Sequence, residues 1–399
     1  MGTMILANIA GSMQDPFVPL YLQELGANVG QVGLFFTLGA IAPLLFQIFG
    51  GWLSDSLGRL QAIAIGSLGG VLGYVVYIIA PSWEWLLIST MGVAMARAFV
   101  GPSFQAFIAE QSTEETRGRV YGLVETMFRV VGVIGPPLGG LLAQGLSFKA
   151  MFIVGGILYT AAAVIRILMA RAANRQQTTP RERPSFSGLK SSLTAMFGLL
   201  FAGGVITWVF ISDGVRDTGF SLVGQLFPIY MQDIRGLTLI QIGVLNAIAS
   251  AVTMVLMPFS GWLSDKKGER VGIVGGFLVL AVGWAGFMTA RSFAAFVAAW
   301  LVFGVGDALI GPAYSSLISK VVPEKLRGTA FGLFSTSLGL ISLPAPWIGA
   351  RLWETYSPLT PFYVPLVGML IMLPVMWIKF RVPANGSTGG SKAEAVPAK

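Results

Sequence analysis

A chain of 399 residues in which 54% are hydrophobic and 11% charged holds more apolar surface than one soluble domain can bury, which excludes a water-soluble enzyme or nucleic-acid-binding module. Its mean hydropathy of +0.74 suits a bilayer. With no cysteine and no histidine, disulfides, thiolate metal sites and the usual near-neutral proton carrier are all excluded, so any proton traffic falls to carboxylates.

A membrane-crossing helix needs about 20 apolar residues. Apolar runs between charged or Gly/Pro-marked breaks give twelve spans, at 3–22, 31–53, 60–80, 85–110, 120–145, 150–170, 198–232, 239–263, 271–290, 293–319, 328–352 and 359–379. The first carries Asp15 and Pro16 and lacks a basic n-region and a small-residue cleavage site, so it reads as a span and not as a removable signal peptide. With twelve spans, both termini and the loops after even-numbered spans share one side. That side holds 18 of the 26 Lys and Arg, against four in the opposite loops, and is therefore the cytoplasm. The net charge of +8 follows from this topology and calls for no nucleic acid. Residues 171–197, with Arg171, Arg175, Arg181, Arg183 and Lys190 among Thr, Pro and Ser, form a basic cytoplasmic linker suited to anionic lipid headgroups. Residues 381–399 make a Gly/Ser/Ala/Lys-rich disordered tail. Two six-span domains remain, 1–170 and 198–380.

The pentapeptide Gly-Trp-Leu-Ser-Asp occurs at Gly51 to Asp55 and returns 210 residues later at Gly261 to Asp265. In the same register Arg97 faces Asp307, Pro102 faces Pro312, Arg117-Gly118 faces Arg327-Gly328 and Pro136 faces Pro346. Such a repeat inside a membrane protein points to a transporter built about a pseudo-two-fold axis. An arginine at mid-span costs about 2.5–3.5 kcal/mol, so it faces a cavity or a partner. Arg97 and Asp307 sit at matched depth, as a static charge-cancelling pair or as one that takes part in solute or proton binding. In the seventh span Asp213, Arg216 and Asp217 share one helical face, two carboxylates about one guanidinium. The cluster lies either at membrane depth, where an aspartate is suited to carry a proton, or at the solvated cytoplasmic edge. Asp15 either caps the Pro16 kink or binds. Glu125 and Arg129, four residues apart, satisfy one another.

The two halves, the long central loop and the acidic glycine motif after the second span of each half together resemble the major facilitator superfamily, over essentially the whole chain. The family's loop motif, Gly-x-x-x-Asp-(Arg/Lys)-x-Gly-Arg-(Arg/Lys), is met by Gly51, Asp55, Gly58 and Arg59, with Ser56 and Leu60 at positions that are usually basic. The second copy has Gly261, Asp265, Lys266, Gly268 and Arg270, with Glu269 where Arg59 sits. The resemblance implies an all-α membrane protein of twelve transmembrane helices in two pseudo-symmetric six-helix bundles, with spans 1, 4, 7 and 10 lining a central cavity. It also implies that Asp55 approaches the start of span 11 at Gly328, and Asp265 the start of span 5 at Gly118. These contacts would latch the halves on the cytoplasmic side, the glycine entries admitting close approach to positive helix ends. Arg97-x-x-x-Gly101 is similar to the family's fourth-span arginine motif, with Val100 in place of a glutamine. Gly135-Pro136-x-x-Gly139-Gly140 matches the fifth-span motif of exporters that exchange protons for drugs, with Val131 where a glycine is expected; the same residues permit close, kinked helix packing.

The expected function is secondary active transport of a small organic solute by alternating access, through proton-driven efflux. No enzyme activity, cofactor or metal is expected, and the protein is expected to act as a monomer in the cytoplasmic membrane. A proton-coupled importer of a sugar, organic acid or other nutrient shares these features, and a non-transporting sensor or assembly partner is the rival of another class. The candidate solute- and proton-binding residues are Asp15, Arg97, Asp213, Arg216, Asp217 and Asp307. Trp208, Phe210, Phe227 and Tyr230 are aromatic candidates for a pocket floor.

Overall fold

The computed structural model describes residues 2–43, 46, 58–174, 203–322 and 342–380. Span 1 is split into α1 (Gly2–Gln14) and α2 (Val18–Glu24), because Pro16 has no amide hydrogen to donate and its ring displaces the carbonyl one turn back. The rest of the first half follows as α3 (Val29–Gly39), α4 (Arg59–Ile79), α5 (Leu86–Gln111), α6 (Glu114–Gly145) and α7 (Phe148–Asn174). In the second half α8 (Gly204–Val223), α9 (Leu226–Ile229) and a π-turn at Tyr230–Ile234 make span 7. They are followed by α10 (Leu239–Lys267), α11 (Glu269–Thr289), α12 (Phe293–Val321), α13 (Ala345–Thr355) and α14 (Thr360–Lys379). These helices supply described segments of all twelve spans, and eight of them are long and apolar enough to cross a membrane. Leu72, Ile157 and Phe259, each more than 60% exposed, belong to the surface that lipid would cover.

The same pairings recur in each half. In the first, α4 packs on α5 and α7, α1 on α6 and α7, and α3 on α5; in the second, α11 packs on α12 and α14, α8 on α13 and α14, and α10 on α12. Between halves the main contacts are α6 with α10 and its symmetry mate α3 with α13. Local devices repeat as well. Asn28 and Gln31 form a reciprocal capping box at the start of α3, and Thr238 and Gln241 form its mate at the start of α10. Gly58 and Gly268, at φ 105° and 85°, are the N-caps of α4 and α11. A side chain is strained in that left-handed conformation, which is why both loop motifs keep this glycine.

Several expectations shift in detail. Asp265 does not lie in a loop: it sits on the last turn of α10, and the turn itself is Gly268. Arg117 and Gly118 are not a helix entry either, because α6 already begins at Glu114. Gly51, Asp55 and Gly328 lie outside the described residues, as do the linker beyond Asn174 and the tail from 381. Helix α8 runs through Gly214 and Gly219 and breaks at Gly224, so the Asp213 cluster stands well inside the span.

Candidate functional site

The two halves are sealed along one face, that of the loops after odd-numbered spans, by contacts that obey the repeat register. Gln23 donates to its own mate Asp233 across the seam at 2.9 Å. The Gly30 amide at the start of α3 donates to Glu354 of α13 at 2.8 Å, and the mate amide of Ile240 at the start of α10 donates to Gln144 of α6 at 3.1 Å. Both acceptors satisfy free amides at a positive helix end. Below them glycines bring the helices into contact. A Cβ on Gly33 would stand 2.7 Å from Pro346 O, and one on Gly243 would stand 2.8 Å from the carbonyl carbon of Pro136. The Gly-Pro motif of α6 has the same use, with a Cβ on Gly135 falling 2.5 Å from Ser12 Oγ and one on Gly140 falling 2.5 Å from Leu239 O; Gly139 lies flush against Met13.

Behind this seal lie two cavities that share Asp15 in their walls. The seam cavity, about 340 Å³, lies between the halves and is lined by Asp15, Phe36, Phe227, Asn246, Trp300 and Asp307 among others. Phe227 is the centre of an aromatic cluster, its ring 4.8 Å from Phe287, 5.1 Å from Trp284, 5.4 Å from Phe362 and 5.7 Å from Trp300. Asp307 is exposed to this cavity and makes no ion pair among the described residues. The second cavity, about 410 Å³, lies within the first half and is lined by Asp15, Tyr74, Arg97, Tyr159 and Arg166. Arg97 pairs with Asp15 at 3.4 Å, both side chains more than half accessible. Pairing of Arg97 with Asp307 is therefore corrected: the repeat register equates their positions, but the break at Pro16 presents the acid of span 1 to Arg97 instead.

Asp213, Arg216 and Asp217 are brought together, with Arg216 Nη2 2.8 Å from Asp213 and 2.9 Å from Asp217. The Arg216 guanidinium also lies over the Tyr314 ring, whose hydroxyl is 2.6 Å from Ser212. Asp213 is 2% exposed, so the group is a buried network against α12 and not a solvated edge. Arg129 pairs with Glu125 at 3.1 Å. Of the aromatic candidates, Phe227 lines the seam cavity, Phe210 and Tyr230 are core, and Trp208 lies beneath the Lys379 ammonium. At the described part of the loop motifs, Arg270 stacks on Trp377 at 3.8 Å. Glu269 accepts from Ser316 and pairs with Lys320, so the residue that departs from the motif ties the loop to the end of α12.

Matches to the Major Facilitator Superfamily cover residues 1–266 and 209–399. The chain belongs to this superfamily. Among its relatives are Multidrug resistance protein 1 of Bacillus subtilis, 25% identical over 96% of this chain and 95% of that one, and the class C Tetracycline resistance protein of Escherichia coli, 26% identical over 94% and 95%. Among solved structures, a bacterial homologue of the iron transporter ferroportin in an inward-facing state has a TM-score of 0.73 at 16% identity, covering 95% of this chain and 96% of that one. A peptide transporter in complex with sulfate has a TM-score of 0.70 at 14% identity, covering 94% and 92%. The superfamily fold of twelve helices in two six-helix bundles accounts for the repeated pairings.

Within this superfamily member, sequence reasoning passes over two groups of residues. Tyr74, Tyr159 and Arg166 surround the second cavity, yet a span sequence marks Arg166 as costly without showing what it meets. Gln23, Asp233, Gln144 and Glu354 form the seal, and the 210-residue register would have found them, because they are two pairs of mates.

Proposed function

We propose that this chain is a proton-driven exporter of small organic solutes that works by alternating access. The observation that carries the reading is Asp307, an acid that makes no ion pair among the described residues and lines an aromatic cavity at the seam of two halves. Relatives named for multidrug and tetracycline resistance support the direction. The Lys/Arg bias supports an outer position for the sealed face, in a plasma-membrane protein with 1–170 and 198–380 as its domains. A bare carboxylate is costly to close off from water. The halves therefore rock past the occluded state when Asp307 holds either a proton or a polar group of the solute, and solute and proton exchange because they compete for one carboxylate. The aromatic rings hold the apolar body of the solute. Asp15 and Arg97 form a weak pair that the solute can open, while Asp213, Arg216 and Asp217 hold span 7 to span 10 and serve as the second choice of proton site. Asp55 and Asp265 latch the opposite face when the outer one opens. The protein acts as a monomer and needs no cofactor.

The test uses the full chain in proteoliposomes and 2-naphthylmethylammonium, an aromatic cation. An imposed pH gradient is expected to accumulate the probe on the acidic side beyond the level that its permeant neutral amine reaches in protein-free liposomes. Asp307→Asn should lose this accumulation and keep downhill counterflow. Movement of probe and proton in the same direction would instead identify an importer, and absence of any flux would remove the transport reading.

A further inference from the structure

The second cavity has an imbalance of charge that the exchange mechanism does not use. Arg166 is 4% exposed and lies in the candidate membrane span of α7. Its Nη1 donates to Ser67 Oγ at 3.0 Å and its Nη2 to Thr3 O at 3.1 Å and to the Met4 sulfur, and the guanidinium also meets the Tyr159 hydroxyl; all are neutral groups, and no carboxylate pairs with it among the described residues. An arginine does not shed its proton in a protein. A buried guanidinium without a counter-charge is costly, and in membrane spans such residues pair with an acid or face a functional cavity. Arg166 lines one, together with Arg97 and Asp15, so the charged side chains of its wall are two cations and one anion. Asp15 is already engaged with Arg97. Two further polar groups of the wall point the same way: the Tyr74 hydroxyl, on a residue 3% exposed, and the Arg166 Nε–H are both buried with no hydrogen-bond partner among the described residues. Native proteins seldom leave such groups unsatisfied without a use for them.

We infer that this cavity is an anion-recognition subsite that takes the carboxylate of an organic solute, with Arg166 supplying the field, Arg97 the accessible guanidinium and Tyr74 a hydrogen-bond donor. A single negative charge brings the wall to neutrality. Its volume of about 410 Å³ admits a bicyclic aromatic acid. Because Asp15 borders both cavities, a solute seated by its carboxylate here lies beside the aromatic seam cavity. The inference rests on the transport reading, and names a chemical class for the same pathway.

The experiment measures equilibrium binding of 2-naphthoate and of 2-naphthylmethylammonium to the full chain in phosphatidylcholine nanodiscs. The amine reports on the seam cavity and on folding in every variant. Wild type is expected to bind both. Tyr74→Phe, which keeps the ring and deletes the unpartnered hydroxyl, should weaken naphthoate about tenfold or more and leave the amine unchanged. Arg166→Gln should weaken naphthoate about tenfold or more with the amine unchanged, and Arg166→Lys should restore naphthoate binding. If Arg166→Gln fails to fold, Tyr74→Phe decides alone. Failure of wild type to bind naphthoate, or unchanged naphthoate affinity in Tyr74→Phe, overturns the subsite; retained flux of the amine would then leave the transport reading standing. Loss of naphthoate binding on adding phosphatidylglycerol would assign the cavity to a lipid headgroup and overturn the solute assignment.

Discussion

The seal between the halves depends on two glycines whose replacement has a calculable effect. In Gly33→Ala the new methyl would stand 2.7 Å from Pro346 O and 3.2 Å from Trp347 Cα, and closer still to the Ala350 methyl. Carbon atoms pack at roughly 3.5–4 Å, so α3 and α13 must part by about 1 Å. Over-packing of this kind costs about 1–3 kcal/mol. If alternating access parts these helices, the cost falls on the sealed state and moves the conformational equilibrium about 5- to 150-fold. Gly243→Ala should do the same at the α6–α10 seam, where its methyl would stand 3.0 Å from Pro137 Cα. The two seams share no residue, so the double variant should show the sum of the two free energies. Gly275→Ala, which meets nothing within 4 Å, is the control. The chain has no cysteine, so Asn246→Cys places a single thiol in the seam cavity. The readout is its labelling by a membrane-impermeant maleimide added at the sealed face. Labelling should be slow in the parent and in the Gly275→Ala control, and several-fold faster in each seam variant. Unchanged labelling with a lowered melting temperature would mean that both conformations keep these contacts, and the reasoning would fail.

Three further outcomes follow from the same contacts. Glu354→Gln removes a carboxylate from the positive end of α3, a term of about 0.3–1 kcal/mol, and should speed the same labelling less than fivefold; Gln144→Glu, at the mate position, should slow it. Arg97→Gln and Asp15→Asn, compared singly and together by thermal unfolding, should show a coupling below about 1 kcal/mol, since the pair is accessible and 3.4 Å long; a larger coupling would make it a structural bridge. Asp217→Asn leaves Arg216 its 2.8 Å contact to Asp213 and should preserve pH-driven accumulation of 2-naphthylmethylammonium. Loss of accumulation with downhill exchange intact would hand the proton from Asp307 to Asp217.

Much of the fold is legible because the bilayer forces it to be. Every backbone amide in lipid must be satisfied within its own helix, so spans appear as long apolar runs and the twelve segments can be read off the chain. Breaks are legible where one residue type causes them, as at Pro16, and illegible where several helical choices remain open: Gly214 and Gly219 invite a break that occurs at Gly224. The seam cavity is harder to see. Phe227 faces it while Tyr230 and Phe210 are core, and this division depends on where α11, α12 and α14 stand.

The repeat register shows most plainly what a sequence can and cannot say about contact. Residues 210 apart occupy equivalent places in the two halves, which fixes their depth but not their distance. A pseudo-two-fold axis carries each residue to the far side of the axis, so mates touch each other only if both lie beside it. Gln23 and Asp233 do, and their side chains meet. Arg97 and Asp307 stand in the walls of different cavities, Arg97 within the first half and Asp307 at the seam. For residues away from the axis, the register predicts pairs of contacts instead: Gly30 with Glu354 requires Ile240 with Gln144, and Gly33 with Pro346 requires Gly243 with Pro136, all of which occur. Charge does not follow that symmetry. Glu354 is matched by the neutral Gln144, and Arg97 by Asp307, so a frame built on repetition holds unlike charges at like positions, and these differences let a solute be held in one of the two orientations that the axis relates.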